Sequence, residues 1–318
     1  MIHRLLSILK SILIRPYKKV IFVFKERQKN KLSQRAEVEY EILWCNEKNS
    51  YDNICYYSTY DHDSIVDPYV YYYLTELQRC GFTIILISTS KSISNQDLIK
   101  LKSLCGAVIL RENLGYDFVS WKVGVKIFPP QKNTNSVLLA NDSVYGPFFD
   151  LSVYLRTCHE SIFDVIGMTD SWEFKYHIQS YFIILKRRVI ENRFIEKYFE
   201  SVMVEIDKQD LIKNYEIGLT QTMIRSGYRV GSISDYLLIK KNNLDQNSKL
   251  YKYRYNQTIY YWRDLLEHRT IPFLKKNVFQ IIGIDEVSIR ELEFILRNNN
   301  STYDISLIIN NMKRNIIN

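Results

Sequence analysis

Residues 107–122, AVILRENLGYDFVSWK, and 136–149, SVLLANDSVYGPFF, decide how this chain is read. In each, a short apolar run gives way to a polar turn. Residues 107–110 lead into 113–115, and residues 137–140 into Asn141-Asp142-Ser143, with Gly146-Pro147 closing the second turn. Apolar runs of this length bounded by turn formers predict buried strands. Polar groups released at the carboxyl ends of neighbouring strands in an α/β sheet converge on one crevice, where such folds bind ligands. The pair of motifs therefore predicts a site.

The side chains suggest its chemistry. A carboxylate at Asp142 can hold Mg²⁺ or Mn²⁺, because these ions take one or two protein carboxylates when water and substrate phosphates fill the remaining positions. An Asx turn after a strand is the plain alternative. In the upstream motif a helix begins near Asp117, so backbone N–H groups around Gly115 face the crevice. Asp117 is read as an N-cap or as a ligand to a sugar hydroxyl. Lys122 either counters a diphosphate or is solvated, and Trp121 packs beneath the loop.

Working outward, the chain alternates strand and helix. Strands are expected over 53–57, 82–87 and 107–110, with helices over 68–80, ended by Gly81, and 96–104. Asp67, before Pro68, reads as a helix cap. In the second half, residues 178–190 read as a strand followed by the basic step Lys186-Arg187-Arg188. A helix then runs through Tyr198, and a later one starts near Glu216 and ends at Gly227. The region from 242 to 247 is polar, and helices beyond it are expected to cover the body.

Charge and composition narrow the classes. Lys and Arg number 43 against 35 Asp and Glu, and residues 1–31 hold nine basic residues against the single acid Glu26, so the rest of the chain is balanced. The apolar positions Leu5, Leu6, Ile8, Leu9, Ile12 and Leu13 alternate with Arg4, Lys10 and Arg15. This predicts a basic amphipathic helix lying on an anionic lipid surface or packed on its own domain. The stretch is too short and too charged to span a bilayer, and no long apolar core leads to a signal-peptide cleavage site. No nucleic-acid-binding fold motif accompanies it, so nucleic acid is not expected as a partner. The five cysteines are odd in number and lack CxxC spacing, which predicts reduced thiols. The histidines lack zinc-ligand spacing.

Seven ordered blocks bring a family into view: 60–89 (YDHDSIVDPYVYYYLTELQRCGFTIILIST), 112–124 (ENLGYDFVSWKVG), 138–148 (LLANDSVYGPF), 167–171 (GMTDS), 177–190, 215–231 (YEIGLTQTMIRSGYRVG) and 260–276 (YYWRDLLEHRTIPFLKK). From about residue 54 onward the chain resembles the rhamnan synthesis protein F family. Its first half also resembles the nucleotide-sugar domain of GT-A glycosyltransferases, with Asn141-Asp142 where those enzymes carry a DxD metal site and Asn141 in place of the first acid.

The resemblance implies an α/β, GT-A-like (Rossmann-related) mixed sheet flanked by helices. With the basic tail read from charge, the chain is expected to divide into three parts: a basic amphipathic segment at 1–45, a glycosyltransferase domain at 46–240, and a helical region at 241–318 packing on it. The resemblance implies transfer of a sugar, L-rhamnose from a dTDP-linked donor, to a lipid-linked polysaccharide at the inner face of the cytoplasmic membrane, with Mg²⁺ or Mn²⁺ as cofactor. The donor would lie against Asp61, Asn113, Gly115, Asp117, Lys122, Asn141 and Asp142, with Asp142 on the metal. Glu216 would be the general base of an inverting displacement, with Asp170 its competitor, and His177 and Gln179 would form the acceptor wall. A carboxylate suits the base role if partial burial makes it more basic, whereas a first-turn Glu can simply stabilise a helix dipole. The rival expectation, kept open by Asn141, is a non-catalytic carbohydrate-binding or scaffold subunit.

Overall fold

The structure is a computed structural model, and it describes residues 35–47, 51–243, 256–282 and 286–317. The basic amphipathic helix expected within residues 1–31 lies outside the described residues.

In chain order the elements are β1 (Tyr40–Cys45), β2 (Asn53–Thr59), α1 (Pro68–Arg79), β3 (Thr83–Ser88), α2 (Asn95–Leu104), β4 (Ala107–Arg111), α3 (Tyr116–Ile127), β5 (Ser136–Asn141) and β6 (Val144–Tyr145). The second half follows with α4 (Leu151–Glu160), β7 (Val165–Ser171), β8 (His177–Ile178), β9 (Phe182–Lys186), α5 (Arg187–Glu191), α6 (Phe194–Glu200), α7 (Lys208–Leu211), a π segment (Ile212–Glu216), α8 (Ile217–Arg225) and β10 (Val230–Ser234). The last region holds α9 (Tyr236–Asn243), α10 (Gln257–Tyr260), α11 (Trp262–Glu267), β11 (Leu274–Lys275), α12 (Val278–Ile282), α13 (Glu286–Asn298) and α14 (Ser306–Ile317).

Among the described residues nine strands form one mixed sheet in the order β1-β4-β3-β2-β5-β9-β7-β10, with β8 paired to β7. Strands β4, β3, β2 and β5 are mutually parallel, and β9 runs antiparallel between β5 and β7. Because β7 and β10 are parallel to each other and opposed to β9, they point the same way as β2 to β5. The carboxyl ends of β2, β3, β4, β5, β7 and β10 therefore share one edge of the sheet, the edge at which α/β folds hold ligands.

Covered on both faces, the central strands are apolar throughout rather than alternating. In β2, Cys55 and Tyr57 enter one core with Tyr69, Tyr73 and Leu77 of α1, while Ile54 and Tyr56 enter the opposite core with Phe118 and Trp121 of α3. Trp121 is fully buried and donates from Nε1 to the Ala140 carbonyl at 3.2 Å, so it packs beneath the site.

The strands expected at 53–57, 82–87, 107–110 and 137–140 are present. Four local readings differ. Strand β1 falls inside the segment read as the amino-terminal tail and pairs antiparallel with β4, so the sheet starts before residue 46. Within residues 178–190 the expected strand is confined to β9, preceded by the end of β8, and the basic step Lys186-Arg187-Arg188 opens α5. No new helix begins at Glu216: α7 is capped by Asp207, which accepts from Gln209 N (2.8 Å) and Asp210 N, and the coil runs on through the π segment into α8. With no Gly or Pro between 208 and 217, nothing ends it. Asp67 occupies the N-cap position of α1 without a side-chain cap; its carboxylate instead accepts from Asn311 Nδ2 and Arg314 Nη2, each at 2.5 Å.

The carboxyl-terminal region is helical and packs on the body as expected. Trp262, Leu265, Phe273, Leu292, Leu296 and Ile308 join the core that contains α1. It also supplies a strand, since β11 pairs antiparallel with β6, Lys275 opposite Val144 and Leu274 opposite Tyr145. All five cysteines are free. No helix among the described residues is long and apolar enough to cross a membrane.

Candidate active site

The site begins with Arg111, the last residue of β4, which is buried and folds the following loop around itself. Its Nη1 donates to the Glu112 and Leu114 carbonyls at 2.7 and 2.6 Å, its Nη2 to the Tyr116 carbonyl at 2.5 Å and Ser120 Oγ at 2.8 Å, and its Nε to Ser120 Oγ at 2.9 Å. Burial lowers its pKa to about 10, with Asp117 and Glu112 acting in the opposite sense. The 112–116 turn is thus wound on a guanidinium. Gly115 sits at the N-cap of α3 with φ +75°, and a Cβ there would lie 2.3 Å from Val119 Cγ2, so both the backbone sign and the space require glycine. Asn113 is exposed and lines a cleft of about 420 Å³ with Glu39, Tyr40, Thr89 and Lys91.

Asp117 falls one residue inside α3 rather than at its cap, and its carboxylate turns toward the end of β5. Asn141 Nδ2 donates to Asp117 Oδ2 at 2.8 Å, while Asn141 Oδ1 accepts from Ser143 N (3.1 Å) and Ser143 Oγ (2.6 Å). One asparagine therefore sets the turn after β5 and couples it to α3. Burial raises the Asp117 carboxyl to about 6; Asp142 adds to the rise, and Ser58, Arg111 and Asn141 oppose it.

Asp142 stands on the carboxyl edge of the sheet. Its Oδ2 accepts from Thr59 Oγ1 (2.9 Å) and Tyr60 N (3.2 Å), which tie it to the end of β2. Tyr69, from α1, donates to the Asp142 carbonyl at 3.4 Å and accepts from Lys276 Nζ at 2.7 Å. Among the described residues the other carboxylate oxygen of Asp142 has no hydrogen-bond partner. No group of three or more His, Cys, Asp or Glu side chains among the described residues is arranged to hold a metal.

Asp61 lies just beyond β2, at the rim of a cleft of about 450 Å³ lined by Tyr60, Tyr69, Tyr145, Lys276, Phe279 and Asn311. Its carboxylate accepts from Asp63 N (2.9 Å) and Ile65 N (3.0 Å) and is ion-paired with Arg314 of α14. Arg314 also meets Asp63 and Asp67, so one guanidinium gathers three carboxylates of the loop leading into α1.

Lys122 stands apart from this edge. It is buried on α3, and its ammonium donates to the Val202 carbonyl at 2.7 Å and the Glu200 carbonyl at 3.3 Å, pinning α3 to the segment after α6. Burial lowers its pKa. The geometry gives it an architectural place rather than one beside a diphosphate.

In the second half, Glu216 ends the π segment half-buried, and its Oε1 accepts from Ser180 N at 2.8 Å. Asp170, in β7, is buried. Its Oδ1 accepts from Tyr236 N (2.8 Å) and Gln257 Nε2 (2.9 Å), and burial raises the carboxyl to about 7, with Asp235 adding to the rise. Asp170 therefore anchors the start of α9. His177 is buried with Nδ1 2.8 Å from the Lys175 carbonyl. Gln179 accepts from Thr169 Oγ1 (2.7 Å) and donates to Asn256 Oδ1 (3.2 Å), which links it through Asn256 to Glu173. The structure thus joins Asp117 to Asn141 by a hydrogen bond with Asp142 next in the chain, holds Glu216 on Ser180 N, and gives Asp170 and Lys122 hydrogen bonds that fix neighbouring segments.

Lysines 275 and 276 were not singled out from the sequence, although they close the 260–276 block. Strand β11 lays them against the residues that follow Asp142: Lys276 N donates to the Ser143 carbonyl at 2.9 Å. Their side chains take opposite directions, as consecutive strand residues do. Lys276 goes to Tyr69, and Lys275 lies over the Tyr181 ring, 5.1 Å from its centroid. The apolar run 271–274 ending in two lysines was the available signal.

Residues 84–317 match the model of the rhamnan synthesis protein F family. The chain is 27% identical over 165 residues to the uncharacterized protein y4gN of Sinorhizobium fredii, a match spanning 50% of this chain and 43% of that protein. It is also 27% identical over 220 residues to virulence protein VirA of Vibrio anguillarum, spanning 63% of this chain and 69% of VirA. Among solved structures, the glycosyltransferase GlyE of Streptococcus pneumoniae TIGR4 aligns with a TM-score of 0.36 and 11% identity, over 85% of this chain and 64% of that one.

Proposed function

The chain belongs to the rhamnan synthesis protein F family, and from that premise we propose that it is a glycosyltransferase of cell-surface polysaccharide synthesis. The observation that carries the reading is Asp142, held at the shared carboxyl edge by Thr59 and Tyr60 through one carboxylate oxygen, the other having no hydrogen-bond partner among the described residues. In this reading the diphosphate of a nucleotide sugar lies over the Asn141-Asp142 turn. The donor is dTDP-L-rhamnose, and Asp117 with the loop at 113–115 orients the sugar.

The donor set suits a divalent ion. One carboxylate oxygen without a protein partner, beside an Asp117 carboxyl whose own charge is disfavoured, matches what Mg²⁺ or Mn²⁺ needs when substrate phosphates complete its shell. Asp142 would hold the ion, which when bound supplies positive charge to the departing diphosphate. Across the cleft Glu216 accepts the proton of the acceptor hydroxyl as that oxygen attacks the anomeric carbon, while Ser180 N fixes the carboxylate. Gln179 and His177 form the wall on which a lipid-linked saccharide would rest, reached at the inner face of the cytoplasmic membrane.

The test is incubation of the full chain with dTDP-L-rhamnose and other nucleotide sugars, with and without Mn²⁺, followed by thermal shift and donor turnover. A ligand that binds only the folded state raises its melting temperature by mass action. Stabilisation with donor consumption supports the transferase. Stabilisation without turnover on any supplied acceptor favours the non-catalytic binding subunit, and failure of every nucleotide sugar to bind overturns the reading.

A further inference from the structure

The geometry points to Lys275 as the residue that binds the diphosphate of the donor from the side opposite Asp142; this rests on the glycosyltransferase reading and adds to it a cation from the carboxyl-terminal region. Lys275 is brought beside the turn after β5 by β11, whose pairing sets its Cα opposite Val144, two residues after Asp142. Leu274 is buried in the core and Lys276 is held by Tyr69, so the intervening side chain is directed to the other face of the turn. There it lies over Tyr181.

Among the described residues the ammonium meets an aromatic face and no paired anion. Glu216, Asp117, Glu173 and the cation Lys208 all lie within electrostatic reach of the ammonium, yet among the described residues no carboxylate forms an ion pair with it. Burial lowers the pKa of Lys275, and Glu216 acts in the opposite sense. A half-buried ammonium without a paired anion is costly unless an anion arrives. Asp117 of the donor motif and Glu216, the carboxylate assigned to the acceptor proton, both act on Lys275, and its backbone pairs with the strand that follows the donor turn.

In the transfer, the acceptor oxygen forms a bond to the anomeric carbon and its proton passes to Glu216. The bond from the anomeric carbon to the phosphate oxygen breaks, and its electron pair stays on the leaving diphosphate. Negative charge thus grows on the phosphate oxygen, and a fixed ammonium there stabilises the transition state more than the ground state. Because the turn carries Asn141 rather than another acid beside Asp142, it offers a divalent ion a single carboxylate, and Lys275 supplies further positive charge.

The experiment is calorimetric titration of the full chain with dTDP, UDP and GDP and with the matching monophosphates, for the parent, Lys275→Met and Lys275→Arg. Met keeps the aliphatic volume, and thermal melting verifies folding. Expected is a loss of tenfold or more in diphosphate affinity for Lys275→Met, less than a twofold change for the monophosphate, and partial recovery with Arg. Unchanged diphosphate affinity, or equal losses for mono- and diphosphate, would overturn the role of Lys275 while leaving the transferase reading intact. If the folded parent binds none of the three diphosphates, the transferase reading fails with it.

Discussion

Asn141 donates from Nδ2 to Asp117 Oδ2 across 2.8 Å, joining the carboxyl end of β5 to the first turn of α3. The two motifs that stood apart in the sequence are thus one hydrogen-bonded unit, and the asparagine that departs from a two-acid metal pattern is the residue that makes it so. An acid at 141 would set a second carboxylate against Asp117, a like-charge contact that raises the cost of ionising either.

Asp142→Asn keeps the acceptor for Thr59 and Tyr60 and removes the charge. In the presence of Mn²⁺ its affinity for dTDP-linked donor is expected to fall about tenfold or more, equivalent to roughly 1.4 kcal/mol. The change should be smaller without metal, as measured by titration calorimetry in both conditions. Equal affinities for parent and variant in Mn²⁺ would remove Asp142 from the metal role.

Glu216→Gln is expected to lower kcat by about 10²–10⁴-fold with donor affinity unchanged, because the amide accepts from Ser180 N but cannot take a proton. Asp170→Asn is expected to stay within about threefold of parent kcat, since the amide oxygen can still accept from Tyr236 N and Gln257. Steady-state kinetics on the two variants decide the matter. A large kcat loss at Asp170→Asn with donor binding intact would transfer the base role there.

Asp117 yields a prediction about pH. Its carboxyl rises from 3.8 to about 6 on folding, so its contribution is fully favourable below pH 4 and is lost as pH rises through 6. Asp117→Asn should therefore stabilise the protein at pH 7 by up to about 3 kcal/mol and change little at pH 4. Urea unfolding at the two pH values checks this. A destabilised variant at pH 7 would mean that the ionised carboxylate is better satisfied than its burial implies.

Lys122→Met separates architecture from binding. Losing the ammonium leaves the Glu200 and Val202 carbonyls short of a donor, a cost of about 1–3 kcal/mol, while donor affinity should be unchanged. Weaker donor binding in a variant of parental stability would return Lys122 to the site.

The sequence announced strands β2, β3, β4 and β5 because a strand covered on both faces is a run of apolar residues with no polar interruption. Strand β1 gave no such sign: it is an edge strand with Tyr40 and Ile42 exposed, and it follows a basic tail. Asp142 was legible because its turn is local. Lys122 was misplaced because its partners are backbone carbonyls some eighty residues away, which leave no mark on side-chain patterns. Arg111 passed unnoticed because what it holds is again backbone, the carbonyls of its own loop. Lys275 was hidden by the brevity of β11, whose position depends on pairing with β6 rather than on any propensity of Leu274 and Lys275.

That pairing also carries a consequence in time. Asp142 and Lys275 are separated by about 130 residues, and at a synthesis rate of roughly 5–20 residues per second the ribosome delivers the lysine roughly 7 to 27 seconds after the aspartate. During that interval the turn after β5 exists without β11, the strand that carries Lys275. A nascent chain folded only through its first sheet strands would hold β6 without its partner, and the turn after β5 would gain its second layer of backbone hydrogen bonds only after β11 closes on β6.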